Sequence, residues 1–493
     1  MDPSVVLTLT LISVILILGI VSTKLASRIG VPALVLFIGA GMLLGREGLG
    51  LVTFEDAVLA QLIATAALVI ILFEGGLQTD WSKLRPVALP AGVLATLGVI
   101  ITAGITGLLT WQILGVALPV AMLFAAIVGS TDAAAIFAVL REREILQRLK
   151  VTVEAESGLN DPMALFLTQV FLTWVQTSSL SVSQSLVLMV WQLGVGLVIG
   201  LAMGRLVPWI LTRIRFDSGG LYPLLLLASA FVTFAVASWI EASGIVAVYV
   251  FGIAINGADI PYRQSVVRFH EGLAALSQMV MFTLLGLLVR PSHMAALVGP
   301  GILITLGLMF VSRPVAVFLC TLGMGFNWRE FLLLAWAGLK GAVPIILATF
   351  PLVAGIPQQD LIFHLVFFVV LTSALIQGST ISPLAKWLGL VEGVSRPKAV
   401  SLELVAVEEC DTDLIEVEIT PGAEVQGKLL SELDLPPTVA VSAIVRHKQV
   451  VTPRGNTRIE PGDVLFILAG KGSRERVLDV FTGEGRPTPA PAT

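Results

Sequence analysis

The sequence predicts an all-α polytopic membrane protein of about 13 transmembrane helices in inverted repeats, with two broken crossing helices and a small cytoplasmic α+β domain. Three observations carry this prediction: the composition, the spacing of the apolar runs, and Gly/Pro interruptions in two of them. Of 493 residues, 56% are hydrophobic and 13% charged, and the mean hydropathy is +0.94. A soluble chain carries roughly twice that charged fraction. The net charge of -4 and the lack of a long basic run exclude nucleic acid as an expected partner. Two cysteines without a CxxC pair and four scattered histidines point to neither a disulfide framework nor a zinc or haem site.

Crossing a bilayer takes about 20 apolar residues. Such runs fall at 5–22, 31–45, 57–77, 87–111, 118–140, 152–175, 186–212, 220–239, 243–257, 266–289, 296–322, 328–350 and 360–388. The first is read as a span and not a signal peptide, because Asp2 precedes it while Lys24 and Arg28 follow. With the N-terminus outside, the inner loops collect Lys24, Arg28, Lys83, Arg85, Arg141, Arg143, Arg148, Lys150, Arg213, Arg215, Arg263, Arg268, Arg329 and Lys386. The outer loops hold Arg46 and Arg290. Positive charge inside is the expected bias, so the odd count and a cytoplasmic C-terminus follow.

Composition changes after Leu390. Residues 1–391 are read as the transmembrane domain, 392–402 as a linker, 403–482 as a cytoplasmic regulatory domain and 483–493 as a disordered Pro-rich tail. The regulatory domain opens with strand-like alternation at Glu403–Val407 and Leu414–Ile419. A short helix at 427–433 and three more strand-like runs follow, the last at Asp463–Leu468.

Ionisable groups at membrane depth mark functional sites by default. Here they are Glu74, Asp132, Glu156, Asp161, Arg313 and Lys340, with Glu241 nearer a surface. Two of them, Glu156 and Asp161, lie in the run Glu-Ser-Gly-Leu-Asn-Asp-Pro at 156–162. On a helix Ser157 and Asp161 share a face, with Glu156 and Asn160 one step round. Pro162 removes a backbone donor and frees a carbonyl. The bland alternative is a capped helix start, with Ser157 capping the turn and the carboxylates at headgroup level. Asp161 lies too far into the run for that.

Gly129–Phe137 (Gly-Ser-Thr-Asp-Ala-Ala-Ala-Ile-Phe) interrupts the fifth run with N-cap chemistry, so a fresh helix begins there. Asp132 neutralises the positive end of that half-helix and offers an oxygen to a cation. The twelfth run breaks at Gly338–Pro344, where Lys340 balances the negative end of the opposing half-helix. Interrupted spans at matching positions of two halves point to an inverted-repeat transporter with its site at the crossing. Arg313 needs an anion, and Glu156 is the preferred partner in a buried structural pair. Glu74 either approaches the site through water or caps its helix. Carboxylates, a hydroxyl and free carbonyls make a hard-oxygen site for Na⁺ or K⁺. If Asp161 titrates near working pH, binding a proton or a cation at one acid yields exchange without further machinery.

These residues resemble the monovalent cation/proton antiporters, specifically the electroneutral NhaP-type branch. The matching pieces are Phe-Glu-Gly-Gly at 73–76, Gly-Ser-Thr-Asp-Ala-Ala-Ala at 129–135, the 156–162 run, Ser-Arg-Pro at 312–314 and Gly-Leu-Lys-Gly-Ala-Val-Pro at 338–344. The resemblance implies a homodimer and an elevator-like movement of a core against a dimer scaffold. It implies a K⁺ or Na⁺ site of Asp161, Asp132, Ser157 and the Thr131 backbone, with Glu74 nearby through water. It implies Glu156 and Arg313 as the structural pair. Electrogenic relatives carry a second Asp where this chain has Asn160, which implies one proton per cation. Lys340 departs from the Arg of many relatives.

The tail resembles the TrkA-C regulatory domain of potassium channels and transporters, through 422–433 and 443–469. Together the two parts look like the cell-volume-regulation class of potassium/proton antiporters in a bacterial inner membrane. That class implies roles in pH homeostasis and cell volume, dimerisation of the tail as well, and, in some members, a cyclic dinucleotide bound there. No enzyme activity or cofactor is expected. The run 422–429 nearly matches a phosphate-binding P-loop, but Leu429 stands where Ser or Thr would hold Mg²⁺. Rival readings are a Na⁺(Li⁺)/H⁺ antiporter using the same site, a cation channel, which would want a selectivity filter, and an ion sensor that transports nothing.

Overall fold

The computed structural model describes residues 13, 16–17, 19–26, 31–133, 136, 143–214, 216, 218–258, 260–394, 412–419, 425–433, 435, 439–446, 449–470 and 481. The chain divides into two compact units, Met1–Ser395 and Arg396–Thr493.

The first unit is helical. Its main elements are α1 (Ala33–Leu44), α2 (Ala57–Gln78), α3 (Trp81–Leu114), α4 (Leu118–Ile127), α5 (Gln147–Thr177), α6 (Val182–Arg213), α7 (Leu221–Trp239), α8 (Gly244–Asn256), α9 (Arg263–Leu288), α10 (Val298–Thr321), α11 (Trp328–Trp336), α12 (Ala342–Ala354) and α13 (Gln359–Trp387). Seven are long and apolar enough to cross a membrane among the described residues: α2, α3, α6, α7, α9, α10 and α13. Four shorter apolar helices, α1, α4, α8 and α12, accompany them. The first expected run, 5–22, lies largely outside the described residues, although 19–26 are helical. The run expected from residue 152 begins a turn earlier, at Gln147, and stays helical through Pro162.

Two breaks mark the repeat. The fifth run stops at Ile127, and the twelfth splits into α11 and α12. The spans just ahead of them, α3 and α10, each contain one π-helical turn, Leu94–Gly98 and Leu308–Ser312. Such turns are frequent at functional sites, and here the second leads directly into Arg313.

The helices pack principally in two groups. One contains α1, α2, α6, α7, α8 and α9, and the other α3, α4, α5 and α10–α13. Lipid tails supply no hydrophobic drive between helices, so close backbone approach has to do the holding. In the first group α2 crosses α8 at Gly76 and Gly252, and α1 crosses α9 at Gly41 and Gly286. A Cβ on Gly76 would lie 2.9 Å from the Gly252 Cα, and one on Gly41 would lie 2.9 Å from the Gly286 Cα. We refer to this group as the scaffold.

A two-stranded ribbon that the sequence reading lacks pairs β1 (Arg143–Ile145) with β2 (Val391–Val394) in antiparallel fashion. Both segments read as an inner loop or linker because strands this short have no usable period.

The second unit is an antiparallel sheet of β3 (Thr412–Glu418), β4 (Val439–Arg446), β5 (Gln449–Val451) and β6 (Val464–Gly470), in the order β3-β6-β4-β5. Val417, Ile419, Ile444, Ile459, Leu465, Ile467 and Phe481 form its core. Arg446, at the end of β4, donates from Nε and Nη2 to both oxygens of the fully buried Asp463 at 2.8 Å and from Nη1 to Glu460 at 2.5 Å. The helix expected at 427–433 is a single 3₁₀ turn, Leu430–Glu432. Leu429 is held instead in a β-bridge to Arg458, which leaves too few residues for an α-helical turn. The strand expected at 403–407 and the tail 483–493 lie outside the described residues.

Candidate cation site at the helix crossing

The two breaks meet. From Ser130 to Asp132 the chain after α4 is non-helical, and so are residues 338–341 between α11 and α12. Asp132 N–H donates to the Leu339 carbonyl at 2.8 Å, stitching one break to the other. Lys340 Nζ donates to the Ser130 carbonyl at 2.9 Å. Lys340 is thereby buried at the C-terminal end of α4, where unsatisfied carbonyls concentrate negative charge. Gly341, the residue ahead of α12, lies directly beneath the Asp132 carboxylate, and any side chain there would collide with it. Asp132 thus faces the positive end of the opposing half-helix as well as beginning its own.

Helix α5 supplies the third wall. Ser157 does not cap its own helix, which has been running since Gln147. Its Oγ accepts from Ala133 N–H and donates to the Thr131 carbonyl, both at 3.0 Å, so it caps the half-helix that restarts across the gap. Asn160 Nδ2 donates to Thr131 Oγ1 at 2.6 Å. Asp161 is buried one turn beyond Ser157. The Asn160 Oδ1 and Ser130 Oγ atoms are buried without a hydrogen-bond partner. The Ser157 hydroxyl and the Thr131 carbonyl each keep an unused lone pair after the bonds described. Bonds from Ser157, Asn160 and the Asp132 main chain thus join α5 and the two breaks at one crossing, with Asp161 buried one turn along α5.

Arg313 and Glu156 form a bidentate pair beside it, with Nη1–Oε1 at 2.5 Å and Nη2–Oε2 at 2.9 Å, and 4% and 1% side-chain exposure. Nη2 also reaches the Leu334 carbonyl at 3.3 Å. A pair this deeply buried is costly to break, about 3–5 kcal/mol when one partner is removed. Around the crossing the ionisable side chains are three acids, Asp132, Asp161 and Glu156, and two bases, Lys340 and Arg313.

Glu74 lies on α2, in the other helix group, and accepts from Gln78 one turn on. It does not cap its helix, whose first turn is capped by Asp56 accepting from Leu59 N–H at 2.9 Å. Glu241 is exposed at the turn between α7 and α8. The sequence reading missed Ser130, Leu339 and Gly341. Ser130 and Leu339 act through main-chain carbonyls, which carry no residue-type signal. Gly341 had a signal, as a glycine beside a buried lysine, but its partner Asp132 is distant in sequence.

Two unwound segments crossing in a helical membrane bundle, with acids and a buried lysine balancing the half-helix ends, define a secondary active transporter. Residues 12–387 match the transmembrane domain of the sodium/hydrogen exchangers, and residues 414–482 match the TrkA-C domain. The chain belongs to the sodium/hydrogen exchanger family: it is an integral membrane cation/proton antiporter and not an enzyme. It is 36% identical over 468 residues to the K(+)/H(+) antiporter NhaP2 of Shewanella sp. (strain ANA-3), covering 94% of this chain and 81% of the relative. It is 37% identical over 467 residues to the K(+)/H(+) antiporter NhaP of Alkalimonas amylolytica, with the same coverage. The sodium proton antiporter MjNhaP1 of Methanocaldococcus jannaschii superimposes with a TM-score of 0.69 at 25% identity, covering 78% of this chain and 99% of that one.

Proposed function

We propose that the chain exchanges K⁺ for H⁺ by alternating access, with Asp161 binding either ion in turn. The observation that carries this is the buried Asp161 carboxylate one helical turn from Ser157, whose hydroxyl is bonded across the gap to the Thr131 carbonyl. A cation in that site would take oxygens from Asp161, Asp132, Ser157 and the Thr131 main chain. A proton on Asp161 satisfies the same charge and releases the cation. Asn160 in place of a second acid keeps the exchange at one proton per cation, hence electroneutral. Glu156, Arg313, Asn160 and Lys340 hold the geometry, and Glu74 stands apart from the crossing as a second carboxylate reached through water.

K⁺ is favoured because the K(+)/H(+) relatives align over both the membrane unit and most of the tail, 94% of the chain. The Na(+)/H(+) antiporter ApNhaP of Aphanothece halophytica aligns over 74% at 30% identity, and Na⁺/H⁺ exchange through the same oxygens is the second reading. The rest of the proposal is a protein of 13 spans (about 20 residues each) in the bacterial inner membrane. Its N-terminus is outside and its C-terminus cytoplasmic, it is dimeric through both parts, and residues 403–482 regulate exchange, with a cyclic dinucleotide as a candidate ligand. Residues 1–391 would be the transporter proper, 392–402 its linker and 483–493 a disordered tail.

The test is cation-induced proton movement in proteoliposomes under an imposed pH gradient, comparing K⁺, Na⁺ and Li⁺ with Asp161→Asn as control. Dissipation by K⁺ and silence in the variant are expected. Response to Na⁺ and Li⁺ alone keeps the site and overturns the selectivity. No response to any cation leaves a sensor in place of a transporter.

A further inference from the structure

Beside the cation site, a single aromatic ring of the scaffold rests on the helix that carries Asp161. Tyr249, on α8, is 5% exposed. Its ring lies so close to Gly158 of α5 that a Cβ at Gly158 would collide with Cζ and the hydroxyl oxygen. The far end of that ring is tethered. Tyr249 Oη is 3.2 Å from Thr79 Oγ1, and Thr79 Oγ1 already donates its one proton to the Gly75 carbonyl at 2.8 Å. The tyrosine must therefore be the donor. The near end is equally fixed, because the Tyr249 carbonyl lies against Gly76 at the tight crossing of α2 and α8. Asn256 Nδ2 donates to the Thr79 carbonyl at 2.8 Å, which pins the end of α2 as well.

On the other side of the contact, α5 is at its slimmest and least braced. Gly158 has no side chain, and Pro162, four residues on, has no N–H to return to its carbonyl. Asp161 lies three residues beyond Gly158, on the next turn. A rigid, doubly anchored ring thus meets the ion-carrying helix where that helix yields most easily, one turn from the exchanging acid.

We propose that Tyr249 is a positioning residue for exchange: it sets how α5 seats against the scaffold, and Gly158 is the smooth place on which the ring rides when that seating changes. This rests on alternating access at Asp161. The ring touches neither ion, so its removal alters the rate of the conformational step and leaves the oxygens at the crossing in place.

The experiment uses the full chain in proteoliposomes, reading initial rates of cation-driven proton movement against cation concentration. Gly158→Ala forces an overpacked contact and is expected to lower the maximal rate about tenfold or more, with the half-saturating cation concentration changed by less than about twofold. Tyr249→Ala in the Gly158→Ala background makes room for the new methyl group and is expected to restore the rate to that of Tyr249→Ala alone. The tether is read separately, so the test survives if Gly158→Ala does not fold. Tyr249→Phe and Thr79→Val each lower the maximal rate, and the double variant lowers it no further, as two ends of one bond must. Failure of rescue in a folded double variant, or full additivity of the tether variants, overturns the assignment. Asp161→Asn in the same vesicles separates the two ideas, because an active Asp161→Asn protein sinks the exchange site whatever Tyr249 does.

Discussion

Replacing Glu156 by Gln separates the architecture of the site from its chemistry. In the native pair both carboxylate oxygens accept from Arg313, at 2.5 and 2.9 Å, inside a site nearly closed to solvent. Glutamine keeps one acceptor oxygen and turns an NH₂ group towards the guanidinium. One charge-assisted bond, about 1.5–3 kcal/mol, is lost outright. The arginine keeps its charge, with the Leu334 carbonyl at 3.3 Å as a remaining partner, while its buried Nε has none in the native protein. The total approaches the roughly 3–5 kcal/mol of a broken buried pair. At about 2 °C per kcal/mol, the midpoint of thermal aggregation in detergent should fall by roughly 6–10 °C. Exchange measured well below that midpoint should persist. A variant that melts like the native protein yet exchanges nothing would make Glu156 an ion ligand and refute its role as a brace.

Gly341→Ala should abolish exchange, because its methyl group would occupy the space of the Asp132 carboxylate; a normal rate in proteoliposomes would detach Asp132 from the site. Lys340→Met leaves the Ser130 carbonyl and the end of α4 without their positive partner; loss of both thermal stability and exchange is expected, and a stable, active variant would show the balance of half-helix ends to be dispensable. In the second unit, Arg446→Ala strips a fully buried Asp463 of its bidentate partner and should melt the sheet at a cost of about 3–5 kcal/mol, read as lost amide protection in β4 and β6 with α2 and α9 unchanged. At the surface, Glu47 accepts from both Ser292 N–H and Oγ–H, at 2.8 and 2.6 Å, and these bonds hold its carboxyl below the usual carboxylate range. A group whose folded value is lowered contributes above its unfolded value and loses that contribution as pH falls through the folded one. The Ser292 amide should therefore keep its protection at neutral pH and lose it only in acid, below the ordinary carboxylate range; loss near neutrality would contradict the contact.

Much of the architecture is legible in the sequence because lipid leaves the chain few choices. Backbone groups must be satisfied within helices, so apolar runs report helices directly, and Gly129 and Gly338 mark the two breaks. Charge in such a run is conspicuous, which is why Glu156 and Arg313 could be singled out 157 residues apart. What stayed hidden acts through geometry. Ser157 reads as an oxygen for the ion, and its hydroxyl proves also to be committed across the gap, accepting from Ala133 N–H and donating to the Thr131 carbonyl, because hydrogen-bond partners at a crossing are set by tertiary placement. The Ser130 and Leu339 carbonyls belong to any residue. Tyr249 reads as one more apolar-span aromatic until its neighbours are known. The β1–β2 ribbon, three and four residues long, is below the length at which alternation can be told from chance.

The glycine crossings of the scaffold bear on how motion would spread through the molecule. Side chains at an ordinary helix interface have rotamers to exchange, and such an interface can creep, each small readjustment soaking up part of an applied displacement. At Gly76–Gly252 and Gly41–Gly286 backbone meets backbone, and the repulsive wall there is steep while no rotamer is available to relieve it. Such a frame would act as a lever more than as a cushion, passing a shift on from one crossing to the next. The two breaks, the two π turns and the proline of α5 all lie in the other helix group.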